Sequence, residues 1–282
     1  MDRRSIIRNL SAATATPFLS IPSFPITEAA NRKFQHSVCR WCYKDIPLEE
    51  LCDIVKDAGA QSIELLNPEE WDVVLSRGLK VALSNGSSLG IPKGFNDTQY
   101  HDQLRKEIEQ VILKAADKGI SQVIVFSGNR NGIPDETGIE NCARGLSPLV
   151  KIAEQSNVTI VMELLNSKIN HKDYQCDHTS WGIQVVDAVN SPNFKLLYDI
   201  YHMQIMEGDV IRTITDHKDY IAHYHTGGVP GRHEINETQE LNYRAIMKAI
   251  ADSGFDGFVA QEFIHTGDPK KSLKEAIKIC SV

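Results

Sequence analysis

Eight short runs rich in Val, Ile and Leu recur along this chain of 282 residues, each followed by a longer segment with helical patterning. The runs fall at 34–39, 61–66, 79–84, 121–127, 158–164, 194–200, 220–225 and 256–262. Near-continuous apolar runs of this length suit parallel strands covered on both faces. The helical segments fall at 47–58, 68–77, 99–118, 139–156, 179–190, 208–217, 240–253 and 269–280. Pro47 stands in a first turn, and Gly59, Gly119 and Gly254 each follow a helix end. Strict alternation of eight strands with eight helices predicts an α/β fold, a single (β/α)8 TIM barrel. An open doubly wound sheet would want a glycine-rich phosphate loop after the first strand, and VCRWCYKD is not one.

The polar, glycine-rich loops at 85–98, 128–138, 165–178 and 226–239 each follow a strand, whereas connections after helices are short. That asymmetry places the working face at the C-terminal ends of the strands. Glu163, Asp199, His225 and Glu262 end or nearly end four successive strand runs, with gaps of 36, 26 and 37 residues. A βα unit takes roughly 30 residues, so four consecutive strands aim three carboxylates and one imidazole at one point. This is the pattern of a divalent-metal site. Hard oxygen ligands with one imidazole favour Mg2+ or Mn2+, with Co2+ also suited and Zn2+ less so. Glu163 and Glu262, on strands five and eight, approach from opposite sides. A metal holding neighbouring carbonyl and hydroxyl oxygens acidifies the carbon-bound hydrogen between them. One carboxylate can take that proton and the other return it, which is aldose–ketose isomerisation or epimerisation.

MELLNSK at 162–168, LYDIYHMQ at 197–204 and HYHTGGVPGRHE at 223–234 resemble the hydroxypyruvate isomerase family. That family belongs to the xylose-isomerase-like barrels, beside the D-tagatose 3-epimerases and endonuclease IV. The resemblance spans roughly residues 34–280. It implies that Glu163 and Glu262 are both metal ligands and the proton-transfer pair, and that Asp199 is a metal ligand. The strand-seven ligand is glutamine in many hydroxypyruvate isomerases and histidine in the epimerases; here it is His225. By the same resemblance His202 sits beside the metal and binds a substrate oxygen, and Arg232 holds the hydroxyl or carboxylate end of the substrate. The implied substrate is a small hydroxy-keto acid, hydroxypyruvate interconverting with tartronate semialdehyde. A ketose 3-epimerase or keto-sugar isomerase is the alternative on the same metal.

Other residues weigh less. His223 shares a strand face with His225 and is expected one layer deeper. Glu64 is expected to end strand two pointing at the rim, as a substrate contact or a salt bridge. Trp41 and Tyr43 follow strand one and could stack on a sugar or pack in the core. One of Lys168, His171 and His178 is expected to cover the site, and His233 and Glu234 to lie at the surface. Cys39 and Cys42 have C-x-x-C spacing. Read as continuing strand, they stand about 10 Å apart, too far for a disulfide, so the six cysteines are expected to be mostly buried thiols. A phosphodiesterase of the endonuclease IV kind would need extra histidines on strands two to four, where Glu64 and Ser127 stand. A sugar-binding module would not need an opposed carboxylate pair.

Thirty basic against 37 acidic residues give a net charge of −7, which argues against nucleic acid or an anionic membrane as partner. No run approaches 18 apolar residues, so no membrane span is expected. A homo-oligomer is compatible with the sequence. Residues 1–33 carry Arg3-Arg4 and then a weakly apolar Ser/Thr/Ala-rich stretch. They are expected to be a twin-arginine export signal or else a disordered tail, with the barrel at 34–282. The protein is accordingly expected to be periplasmic if the signal is used and cytoplasmic otherwise.

Overall fold

The apolar runs form eight parallel strands in the structure, a computed structural model that describes residues 34–282. The arginine pair and the rest of the 1–33 segment lie outside the described residues. The strands are β1 (Gln35–Cys39), β2 (Ser62–Glu64), β3 (Lys80–Val81), β4 (Gln122–Val125), β5 (Thr159–Glu163), β6 (Phe194–Asp199), β7 (Ile221–Thr226) and β8 (Phe258–Gln261). Their order is β3-β2-β1-β8-β7-β6-β5-β4. The two ends meet through Ser84, whose N–H bonds the Gln122 carbonyl at 3.0 Å and whose carbonyl accepts from Ile124 at 3.0 Å. The expected (β/α)8 barrel is therefore present, with a narrow seam between β3 and β4.

Alternation along the strands sorts the side chains. In β5, Ile160 and Met162 join the large core between sheet and helices, while Val161 packs inside the barrel with Leu83, Ile124 and Leu197. Two residues on from Val161 and Leu197 come Glu163 and Asp199, so both carboxylates face the barrel interior at its C-terminal end. The strand period that buries the core thus also aims the polar groups.

The helices are α1 (Leu48–Ala58), α2 (Trp71–Ser76), α3 (His101–Asp117), α4 (Asp135–Ser156), α5 (Thr179–Val189), α6 (Ile200–Met206), α7 (Val210–Asp216), α8 (Tyr243–Asp252) and α9 (Pro269–Cys280). Among the described residues this is one more than the eight-helix expectation. The addition is α6, which begins directly after Asp199 because the Asp199 carboxylate caps it, accepting from the His202 N–H at 3.0 Å. Helix α4 begins four residues earlier than expected. Pro134 is extended before it, and Asp135 and Glu136 complement its N-terminal dipole. None of the described helices is long and apolar enough to cross a membrane.

The C-x-x-C pair needs correction. The strand stops at Cys39 and the chain turns into a 3-10 helix at Arg40–Tyr43, so the extended spacing assumed for Cys39 and Cys42 does not occur. All six cysteines are free, and all but Cys42 are buried.

The seam is held by backbone contact. Asn96 N–H donates to the Ser127 carbonyl at 2.8 Å, and a Cβ on Gly94 would lie 2.3 Å from the Gly128 nitrogen. Backbone cannot yield as a side chain can. Gly94→Ala is expected to cost about 2–3 kcal/mol through this overpacking, read as a lower urea midpoint at unchanged slope.

Candidate active site

Four side chains meet where the interior-facing positions of β5 to β8 run out. Glu163, Asp199, His225 and Glu262 are all buried, and one ligand atom from each lies within 4.8 Å of the other three. His225 Nδ1 is 3.1 Å from Glu163 Oε1 and 2.7 Å from Glu262 Oε2. The four residues expected from strand spacing are brought together.

The His225 ring is oriented from below. Its Nε2 lies 2.9 Å from Glu64 Oε1, and Glu64 also pairs with His223 Nε2 at 3.0 and 3.1 Å. Glu64 is fully buried rather than at the rim, because the tilt of barrel strands sets the end of β2 deeper than the ends of β5 and β8. A proton on Nε2 shared with Glu64 leaves the Nδ1 lone pair for the site, the arrangement that orients metal-bound imidazoles. His223 lies in the deeper layer as expected, its Nδ1 2.7 Å from the Gln122 side chain.

Arg232 enters from the loop after β7 with φ of 59°. Its Nη2 donates to Asp199 Oδ2 at 3.2 Å and to Glu262 Oε2 at 2.5 Å. Trp41, swung in by the 3-10 turn, donates its indole N–H to Glu262 Oε1 at 2.6 Å. Nothing in CRWCY signals that contact in the sequence. Tyr43 is buried in the core instead.

His202 stands on the first turn of α6. Its Nδ1 accepts from the Asn166 backbone N–H at 3.1 Å, which leaves Nε2 to carry the proton. That Nε2 is buried, has no hydrogen-bond partner, and lies 3.7 Å from Asp199 Oδ2. Burial, and then the nearby Arg232 charge, push the His202 pKa well down, so the ring is neutral.

Of the three loop candidates, His171 lines the cavity, Lys168 bonds the Ile205 and Met206 carbonyls at 3.0 Å each, and His178 pairs with Asp177 at 2.7 Å. His233 is exposed and Glu234 half-buried. Glu234 ties the β7 and β8 loops together by accepting from the Thr266 N–H at 2.7 Å.

The charges show what the site can hold. With His225 counted as the neutral imidazole a metal ligand must be, Glu163, Asp199 and Glu262 bring three negative charges against one guanidinium, a formal balance of −2. Burial, followed by the neighbouring carboxylates, raises Glu163 and pushes Asp199 up to about 8. Burial would raise Glu262 too, but Arg232, His225 and Trp41 outweigh it and hold that carboxyl well below its usual range. Burial alone would lower His225; Glu262 and its other neighbours drive it well above an ordinary imidazole. In the protein alone, these carboxylates are short of positive charge. A divalent cation would cancel the −2, and ligand atoms at about 2.1 Å from an ion lie within roughly 4.2 Å of one another, close to the spread observed. The residues fit such an ion.

Above the cluster opens a cavity of about 360 Å³, lined by Glu163, Glu262, Arg232, His171 and a set of apolar side chains.

The model of the xylose isomerase-like TIM barrel family matches residues 52–281. A hydroxypyruvate isomerase of Escherichia coli is 34% identical over 140 residues, which cover 44% of this chain and 54% of that protein. A 2-oxo-tetronate isomerase of Pectobacterium atrosepticum is 25% identical over 247 residues, 82% of this chain and 92% of that protein. A family 2 AP endonuclease of Brucella melitensis superposes with a TM-score of 0.77 at 23% identity, covering 86% of this chain and 96% of that one, a likeness of fold. The chain belongs to the xylose isomerase-like TIM barrel family and is an isomerase.

Proposed function

We propose that this protein is a metal-dependent isomerase of an α-hydroxy-carbonyl compound, transferring a proton between Glu163 and Glu262. The observation that carries this reading is the convergence of three carboxylates and one imidazole within 4.8 Å of one another at the floor of a cavity. Glu163, Asp199, His225 through Nδ1, and Glu262 would hold the cation, with Mg2+ or Mn2+ best matched to this oxygen-rich set. When bound there, the ion would polarise adjacent carbonyl and hydroxyl oxygens and so acidify the intervening C–H.

The chain's own residues do the rest. Glu163, from β5, and Glu262, from just past β8, both reach His225 Nδ1, so one can take the proton while the other delivers it. Neutral His202 carries an unpartnered Nε2–H, 3.7 Å from Asp199 Oδ2, available to a substrate oxygen that reaches the proposed ion. Arg232 holds Asp199 and Glu262 in place, and a substrate oxygen can share its guanidinium.

The relatives named hydroxypyruvate isomerase and 2-oxo-tetronate isomerase support a hydroxy-keto acid as substrate. A ketose or keto sugar is the second reading, favoured by the cavity's volume of about 360 Å³. The test is exchange in D2O. Mn2+-loaded protein given hydroxypyruvate, D-fructose or a keto-glycoside is expected to place deuterium at the carbon next to the carbonyl of at least one of them. Absence of exchange with all three would reject the reading.

The deeper pair supplies a separate expectation. Glu64→Gln keeps the shape beside His225 Nε2 but removes the charge that fixes the ring. Mn2+ affinity by calorimetric titration is expected to fall about 10- to 100-fold. Unchanged affinity would show that Glu64 serves the fold alone.

A further inference from the structure

The cavity over Glu163 and Glu262 holds about 360 Å³. At roughly 30 Å³ per water that is space for about twelve waters, and a three-carbon acid displaces only a minority of them. The excess space has a distinct lining. Leu65 follows β2, Ile91 stands in the loop after β3, and Ile124 and Phe126 belong to β4 and the residues beyond it. In the strand order these three neighbouring strands lie across the barrel from β6, β7 and β8, which carry Asp199, His225 and the approach to Glu262. The site has a charged reacting side and a far side that is apolar but for Asn85, whose amide nitrogen is taken up by the Leu65 carbonyl and Asn67 Oδ1.

Leu65 sharpens the point. It has φ of 56°, a left-handed conformation that leucine rarely takes. The chain holds it there with its N–H on the Leu83 carbonyl at 2.9 Å and its own carbonyl on the Asn85 amide at 3.1 Å. Residues held in sparsely populated backbone regions cluster at functional sites, and this one lines the cavity.

The residues lining the far side of this cavity carry no positive charge. Arg232 is the formal cation in the lining, and it is engaged with Asp199 and Glu262. Lys168, on the loop after β5, is spent on two backbone carbonyls. A carboxylate placed against Leu65, Ile91 and Phe126 would be desolvated without a partner, whereas an apolar group there gains from leaving water.

We propose that the cavity takes a keto sugar bearing an uncharged apolar substituent, an aryl keto-glycoside, with the hydroxy-carbonyl pair at Glu163 and Glu262 and the aryl group on Leu65, Ile91 and Phe126. This rests on the isomerase reading of the same site. A proton leaves the carbon beside the ketone for one carboxylate, the C–H electron pair enters the enediolate, and a proton from the other carboxylate restores C–H. No net oxidation occurs and no co-reactant is consumed.

The test compares the Mn2+-loaded full chain on three probes by NMR-detected exchange in D2O: phenyl 3-keto-β-D-glucoside, D-fructose and hydroxypyruvate. The phenyl compound is expected to give kcat/KM at least about 10-fold above each of the others, the scale set by burying one aromatic ring. Phe126→Ser and Ile91→Ser are each expected to cut that preference about 10-fold; Ile91 is half-buried in a loop, so its variant tests the point if Phe126→Ser misfolds. Hydroxypyruvate or fructose turned over at least as well as the phenyl compound overturns the inference and leaves the isomerase standing. Exchange with none of the three overturns both.

Discussion

Glu163→Gln and Glu262→Gln are each expected to lower substrate hydrogen exchange by a factor of at least about 10³, within the range for loss of a general acid or base. Glutamine keeps the size and the hydrogen-bonding reach of glutamate but cannot take up a proton. Both positions are buried at the end of parity-sorted strands, and both touch His225 Nδ1, so the change falls on the reacting groups rather than on the core. The two variants are expected to differ in a second respect. Glu262 is bound by Arg232, Trp41 and His225, so neutralising it leaves Arg232 with Asp199 as its remaining carboxylate partner among these contacts. Glu163 has fewer ties, and Glu163→Gln is expected to retain more Mn2+ affinity and thermal stability than Glu262→Gln. Measured metal occupancy separates lost ligation from lost proton transfer. Full exchange in either metal-loaded variant would remove the two-carboxylate mechanism.

Stripping the divalent cation is the second large effect. Three buried carboxylates face one guanidinium, and burial, followed by the neighbouring carboxylates, raises Glu163 and Asp199. An ion bound only by the folded state adds about 2.7 kcal/mol when its concentration is 100 times Kd. For a domain of 150–250 residues each kcal/mol moves Tm by roughly 2–4 °C, so a chelator is expected to lower Tm by about 5–10 °C relative to saturating Mn2+. Exchange activity is expected to vanish with the metal and return on adding it. A Tm indifferent to chelator and Mn2+ alike would mean that the protons on Asp199 and His225, rather than a metal, are the native answer to the charge imbalance.

Much of this arrangement is legible in the chain, because barrel strands carry two signals at once. Buried runs such as TIVME and KLLYD mark the strands by composition, and their period of two points Glu163 and Asp199 inward after Val161 and Leu197. Spacing near the βα repeat does the rest. What escapes is set by depth and by turns. Glu64 obeys the same parity as Glu163, yet ends up beneath His225, because barrel tilt assigns depth and no local pattern records tilt. Helix α6 hides because IYHMQIM can continue a strand; the signal that could have found it is Asp199 itself, a capping residue as well as a candidate ligand. Trp41 reaches Glu262 only because the strand stops at Cys39. The left-handed Leu65 has no sequence mark, since leucine is the wrong residue to expect there.

The central claim is that one divalent cation is shared by four strands. Crystals grown with Mn2+ and measured at the manganese absorption edge test it most directly. A single strong anomalous peak enclosed by Glu163, Asp199, His225 Nδ1 and Glu262 is the expected result. A peak elsewhere, or none at these four side chains in protein shown to contain manganese, would contradict the account.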